Sequence, residues 1–528
     1  MFRLSSPQRP LFGVEHRLDA VKRGRLERSW AHQYREKGLP LIDEGRFAKF
    51  FDDDNGRPNK PVRLVTSVLL FKEVWDLTDA EALAELEWNM LWHYALDITP
   101  EEAHTCQKTL HNTRVRLVND DEGASLFEGT TARLIEAAGL QTHRQRQDST
   151  HIVSNIKILT RLGLFVRTLT QFLEALRKQQ PSACEGLPEE LRARYLDREG
   201  YFADARGSEA PRRLKQAALD VFTVLRAIEG NAAVMQMESF TLVKRLFDDQ
   251  CVAPKAKEPK RIELNEKPSS SSLQSPSDPD VTYGHKGKGY EVQLTETCVP
   301  ENPFQAVTAA SVNGANESDQ HQVQPALEQT ERTCGEAPEE LHTDAGYGSG
   351  ANIVEAREHG TELKAPIGAK ESEKHLSLGE FTLNEAGDRV LTCPTGAAPV
   401  RQGPTKSGKK VQAWFGACQD CPLKSICPTQ KDGRLRRLTF DAETVAVARR
   451  RAEQETSAFK ERHKIRSGIE ATNSELKRCH GLRKLRVRRR PRVALAVRLK
   501  ALALNMKRYM TYLCETASAG ITAPAYAG

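Results

Sequence analysis

No stretch of this chain reaches the ~18 consecutive apolar residues that a membrane-spanning helix needs. The segment from Met1 to Arg25 has no apolar block of the kind that directs secretion. Eleven cysteines in 528 residues are too few and too scattered for a disulfide scaffold, and a chain this long buries a core without one. No internal repeat stands out. Secreted, membrane-spanning and repeat architectures are set aside, and a reducing cytoplasm is the expected setting. One more absence is local. From Lys477 to Arg508 there are thirteen Lys or Arg and no Asp or Glu, although the whole chain carries a net charge of only +7. Such a field suits a polyanion, DNA being the simplest, but taken alone it suits a solvated basic face equally well.

The pattern along the chain divides it. Residues 1–140 read as a helical domain suited to DNA binding. Gly56-Arg57-Pro58-Asn59-Lys60-Pro61 breaks the chain before an apolar helix with Val62, Val65, Val68, Leu69 and Phe71. Thr78 and Glu81 form a capping box that opens the next helix, and Thr99-Pro100-Glu101-Glu102 predicts the start of a third. Gln141 to Asn155 is polar and opens the core segment 141–162; Thr142 to Gln147 predicts a short or edge strand. Residues 163–252 read as a helical insertion, and 253–277 as a linker rich in Lys, Pro and Ser. Tyr283 to Cys298 predicts a hairpin turning at Gly284 to Gly289, and Phe304 to Val312 a further strand. A helix over Gln324 to Arg332 and a strand over Glu340 to Thr343 follow. Residues 351–439 form a second insertion holding a Cys-rich segment, long helices run from about Asp441 to Leu513, and 515–528 is a tail. The core, 141–162, 278–350 and 440–514, is thus mixed α/β and interrupted twice.

Two constellations carry chemistry. If Arg466 to Lys477 is helical at about 100° per residue, Glu470 and Lys477 lie within about 40° of Arg466, while Glu475 falls on the opposite side. One stripe then presents a carboxylate between two cations, fit for a divalent metal and for phosphates; an ordinary amphipathic helix with i,i+4 pairing fits the spacing too. The second is Cys393, Cys418, Cys421 and Cys427, four thiols whose near-paired spacing suits tetrahedral Zn²⁺ in a ribbon-like fold. Trp414, Phe415 and the nearby Lys and Arg would let that ribbon touch DNA. Asp278-Pro279-Asp280 reads as a strand-entry turn.

The stretch around Glu470 resembles the signature of DDE transposases of bacterial insertion sequences: tyrosine, two residues, arginine, three residues, glutamate, six residues, lysine. Arg466, Glu470 and Lys477 keep those spacings, and His463 stands at the tyrosine position. Arg146-Gln147-Asp148-Ser149-Thr150-His151 looks like the family's first-aspartate block, and Thr343-Asp344-Ala345-Gly346-Tyr347-Gly348 like its second, all in the family's order. The resemblance implies an RNase H-like fold and a catalytic triad of Asp148, Asp344 and Glu470. It implies two Mg²⁺ or Mn²⁺ ions, which suit in-line attack on a phosphodiester. It implies terminal inverted repeats and target DNA as substrates, a homodimer in the active complex, and a nucleoid-associated location. Lys477, with Arg466, is implied to contact the transposon end, and His463 to donate a hydrogen bond there. Lys286, Lys288 and Gly289 resemble the family's Lys-Gly turn. Arg483, Lys484, Arg488, Arg489 and Arg490 extend the basic field. Two other readings stay open: a transposase-derived DNA-binding protein without activity, and a zinc-dependent nucleic-acid-binding regulator.

Overall fold

The computed structural model describes all residues except 1, 6–8, 10–12, 52–58, 197–201, 205–206, 255–260, 369–374 and 519–528. The breaker Gly56-Arg57-Pro58, part of the expected linker and most of the expected tail lie outside the described residues.

The centre is a mixed sheet built from β1 (Arg144–Ile152), β2 (Thr282–Gly284), β3 (Gly287–Thr297), β4 (Val307–Gly314), β5 (Glu340–His342) and β6 (Glu362–Lys364). Their spatial order is β4-β3-β1-β5-β6. The first two pairings are antiparallel and the last two parallel, with β2 folded back on β3 as a hairpin. The hairpin is the predicted one, closing Gly284 against Gly287. Helix Val323–Cys334 carries the chain from β4 to β5, and helix Gly350–Glu358 carries it from β5 to β6, since parallel neighbours need a crossover.

β1 departs from expectation. It is neither short nor at an edge but a nine-residue central strand. Gln145 and Gln147 are wholly buried. Gln145 accepts from Thr308 at 2.8 Å and Gln147 donates to the Gln322 carbonyl at 3.0 Å, while Gln147 Oε1 has no hydrogen-bond partner among the described residues. Buried polar groups are mostly paired, and these partners lie more than 150 residues away in sequence.

The N-terminal helices and the long last helix Arg490–Ser518 cover one face of the sheet. Tyr290, Val292 and Leu294 of β3 join Leu126, Phe127, Leu502 and Met506 in one core. Helix Val62–Val74 is bound to the last helix by charge as well as by apolar contact. Glu73 is buried, 3.0 Å from Lys72 and paired with Lys500, and its carbonyl faces His480 Nδ1 at 3.0 Å. The capping box at Thr78 and Glu81 forms as read. The third helix does not begin at Pro100. Thr99 N–H donates to Glu102 Oε2 at 2.9 Å and closes a turn instead, and the helix runs Gln107–Val118.

The insertion after β1 is a helical unit with its own core around Leu169, Phe172, Val221 and Val243. The stretch after it, read as a linker, is laid onto that unit where described: Leu273 is buried in its core, and Ser272, Gln274 and Ser275 are buried too. Asp278 accepts from Tyr290 Oη at 2.9 Å, in keeping with a strand-entry turn. The second insertion, between β6 and helix Ala442–Gln454, holds a four-stranded antiparallel sheet and a two-stranded one packed around Phe381, Phe415, Leu438 and Phe440. No helix among the described residues is long and apolar enough to cross a membrane.

Candidate active site

Asp148 and Asp344 come together because β1 and β5 are parallel neighbours. Arg146 pairs with His342, so two residues further on both chains stand at the same level. Asp148 is still within β1; Asp344 lies just past β5 in a turn where its Oδ1 accepts the Gly346 N–H at 2.8 Å. A Cβ at Gly346 would stand 2.9 Å from that oxygen, so the glycine keeps the turn open. Burial, partly offset by Arg466 and reinforced by the Asp344 charge, pushes the Asp148 carboxyl up to about 6.

Glu470 is the second residue of helix Ile469–Cys479. Arg466 is not on that helix, as the spacing predicts, but in the 3-10 turn Lys464–Gly468 before it. It nevertheless keeps the expected side: its guanidinium lies 2.8 Å from Glu470 Oε1 and 3.8 Å from Asp148 Oδ1, between the two carboxylates. Asn473, one turn past Glu470, donates to Asp148 Oδ2 at 3.0 Å. Glu475 points the other way, as read, and is engaged there. It lies 2.7 Å from Lys507 and 3.6 Å from Arg508, and hydrogen bonding with His480, together with these two cations, holds it down to about 2. A neutral Gln at 475 therefore loosens the seam with the last helix even though it leaves the stripe alone.

Asp148 and Glu470 open onto a groove of about 1030 Å³ whose other walls carry Lys286, Lys477, Arg478 and Arg483. Burial, with repulsion from Lys286, holds the Lys477 ammonium below its ordinary value. Lys288 lies in the same wall, but its ammonium donates inward to the Leu159 carbonyl at 2.8 Å. His463 does not reach the groove's cations. Its Nε2 lies 2.9 Å from the Thr343 carbonyl and its ring stacks on Phe459, so it braces the backbone beside Asp344.

The basic stretch is not one continuous helix. Between His480 and Arg490 it is a loop that runs along the end of β1, with Val153 bridged to Lys484. Arg483 and Lys484 are exposed there. Arg488 donates to the Asn155 carbonyl at 2.5 Å, Arg489 pairs with Glu238 of the helical insertion, and Arg490 donates to the Val312 carbonyl at 3.0 Å. The last three help to hold the loop down, and Arg488 and Arg490 stay exposed.

Four contributors escape a reading of the sequence. Asn473 had a signal, its place three residues after Glu470. Arg146 and Glu296 are register partners across β1 and β3, which no local pattern announces. Asp319, beyond β4, accepts from Gln293 at 2.7 Å and from Ser149 at 3.3 Å. Burial and the charge of Asp344 push its carboxyl up.

In the second insertion Cys393, Cys418 and Cys427 border the same small core. Burial, then the neighbouring Cys427, Cys421 and Cys393, pushes the Cys418 thiol up. Among the described residues, no three His, Cys, Asp or Glu side chains stand close enough together to hold a metal ion, at the carboxylates or at the cysteines.

Residues 392–510 match the family model described as the transposase DDE domain. The match begins at the cysteine-bearing insertion, spans Glu470 and Lys477, and ends in the last helix; Asp148 and Asp344 precede it. Neither the curated proteins nor the solved structures give a match to this chain.

Proposed function

We propose that this chain is a DNA transposase of the DDE type, cutting and joining DNA at the ends of its own insertion element. The observation that carries the reading is the placement of Asp148 on β1 and Asp344 just past its parallel neighbour β5, with Glu470 facing Asp148 across Arg466 at the mouth of a cationic groove. The strand order, two antiparallel then two parallel pairings with the carboxylates at the parallel step, supports an RNase H-like core.

The donor set fits hard divalent cations: carboxylate oxygens only, two of them electrostatically coupled and one buried at a cost. Asp148, Asp344 and Glu470 would hold two Mg²⁺ or Mn²⁺ ions, which supply an activated hydroxyl and stabilise the leaving oxygen of an in-line displacement. The chain's own groups do the rest. Lys286, Lys477 and Arg483 neutralise phosphates along the groove. Asn473 holds one Asp148 oxygen so that the other faces the groove. His463 fixes the backbone beside Asp344. Arg466 exchanges its carboxylates for a phosphate as DNA enters. The protein acts as a homodimer in the cytoplasm, associated with the nucleoid.

A cleavage and joining assay with Mg²⁺ on the inverted repeats flanking the gene tests this. Binding without any cutting points to an inactive DNA-binding descendant. Two variants probe the groove. Lys286→Ala with Arg483→Ala is expected to flatten the dependence of log affinity on log salt by up to ~2, at ~0.9 per phosphate contact; an unchanged slope takes these residues off the DNA. Lys477→Ala is expected to lose more cleavage than binding, since a misplaced scissile phosphate costs rate rather than affinity.

The cysteines belong to the same proposal. Cys393, Cys421 and Cys427 lie in electrostatic reach of Cys418, and four thiols are the donor chemistry of structural zinc. About one zinc per chain is expected by elemental analysis of freshly purified protein, lost in Cys421→Ser, which unfolds the insertion before the core. Zinc-free, fully folded protein rules this out. A protein that keeps its zinc and shows no Mg²⁺-dependent cutting favours the regulator reading.

A further inference from the structure

A buried carboxylate beneath the candidate active site joins the strand of Asp148 to the helix of Glu470. Glu296 on β3 has no exposed side-chain surface and lies 2.7 Å from Arg146 of β1. Its other oxygen accepts from Thr472 Oγ1 at 2.7 Å and lies 3.1 Å from Arg508. Arg508 also donates to Thr472 Oγ1 at 2.7 Å. Thr472 is two residues past Glu470. Arg146 is two residues before Asp148 and reaches on to donate to the Ile465 carbonyl at 2.8 Å, beside Arg466. The route of Arg146 explains Gly468 within the signature stretch: a Cβ there would stand 1.9 Å from Arg146 Nη1.

We propose that Glu296 is a positioning residue for the carboxylate site: with Arg146, Thr472 and Arg508 it fixes helix Ile469–Cys479 on β1, and so sets Glu470 against Asp148. The inference rests on the carboxylate reading above. Asp148 belongs to a sheet strand, but Glu470 is near the start of a helix preceded only by a 3-10 turn. Its side chain is 62 % exposed and bonded to Arg466 alone, so its place is set by the backbone. The contacts that hold this backbone from beneath converge on Glu296. A charged hub suits the task, because two guanidiniums and a hydroxyl arranged about one carboxylate define direction as well as distance.

The test uses the full chain and two readouts: Mn²⁺ binding without DNA, followed by the spectrum of free Mn²⁺, and Mg²⁺-dependent cleavage. Thr472→Val keeps the side chain's shape and removes the hydroxyl. It is expected to weaken Mn²⁺ binding and slow cleavage by about 10- to 100-fold, the usual effect of removing a partner behind a metal ligand. DNA-end affinity should stay within about twofold by the same reasoning. Thr472→Ser, which restores the hydroxyl, should recover most of both. Glu296→Gln should act in the same direction and more strongly. Should either variant be partly unfolded, half-saturation by Mn²⁺ still decides, because a folded fraction of one half moves the midpoint only about twofold, well short of the expected 10- to 100-fold. An unchanged midpoint in Thr472→Val, or a Ser variant as weak as Val, overturns the proposal. If Asp148→Asn leaves Mn²⁺ binding untouched, the carboxylate reading itself fails and takes this inference with it; if Asp148→Asn abolishes binding and Thr472→Val does not weaken it, only the inference fails.

Discussion

Asp148→Asn is expected to abolish strand cleavage and, at neutral pH, to make the protein harder to unfold. The first effect follows from the role proposed for the carboxylate. Metal-assisted charge stabilisation is worth several kcal/mol, and each 1.36 kcal/mol is tenfold in rate, so a loss of about a thousandfold or more is expected. The second follows from burial. Asp148 rises to about 6 from an ordinary 3.8, chiefly because it is desolvated. The folded protein therefore binds a proton more readily than the unfolded chain. Wild-type stability falls as pH climbs through this window and carries the whole cost above about 6. At ~1.4 kcal/mol per pH unit that cost is up to about 3 kcal/mol. Asn is neutral, keeps an oxygen for Asn473 and escapes the cost. Urea melts of the two proteins at pH 7 and pH 4 decide it: a gain at pH 7 that shrinks towards pH 4 is expected, and a variant no more stable at pH 7 sinks the argument. Glu470→Gln, at an exposed carboxylate, should lose cleavage with no comparable gain.

Glu73→Ala is expected to cost about 3–5 kcal/mol of stability, the usual result of removing one partner from a buried ion pair. Glu73 lies among Lys72 and Lys500, all three largely shielded from water. Burial raises its carboxyl, but the two ammoniums outweigh this and hold it below the ordinary 4.5. Its contribution is thus present above the unfolded-state value and lost as pH falls through the folded one. Ala leaves Lys500 with the His480 carbonyl and a more distant Asp76, 3.9 Å away, and Lys72 with Asp79 at 3.9 Å. Replacing Glu73 and Lys500 together with Met and Leu should cost less, because only Lys72 then loses its partner, and Asp79 lies 3.9 Å from it. A loss below about 1 kcal/mol in the single variant would show that water reaches the pair.

Local rules could be read from the sequence wherever they decide the structure. The Thr78 capping box, the Gly284–Gly287 hairpin turn and the strand into Asp344 each depend on a few adjacent residues. The three carboxylate positions could be read as an ordered set of motifs; Asp148 lies on β1 and Asp344 just past its parallel neighbour β5. What could not be read depends on distant partners. Gln145 and Gln147 look like edge-strand residues until Thr308 and Gln322 are placed beside them. Arg488, Arg489 and Arg490 look like a phosphate-binding run, and the sequence gives no sign of their contacts with the Asn155 carbonyl, Glu238 and the Val312 carbonyl. His463 occupies a motif position yet turns to the Thr343 carbonyl, because an N–H at the tip of its ring donates to that strand end. Glu296 carries no local mark; its importance appears only when β1, β3 and two helices are assembled.

The brace around Glu296 also has a consequence in time. β1 waits for β3 and β5, and the hub is complete only when Arg508 is present. At roughly 5–20 residues per second of synthesis, the ribosome works for tens of seconds after making Asp148 before the last member of the hub exists. The helical insertion, with its separate core, can fold early in that interval; the carboxylate site cannot. A translation product truncated before the last helix would then carry Asp148, Asp344 and Glu470 and still leave DNA uncut.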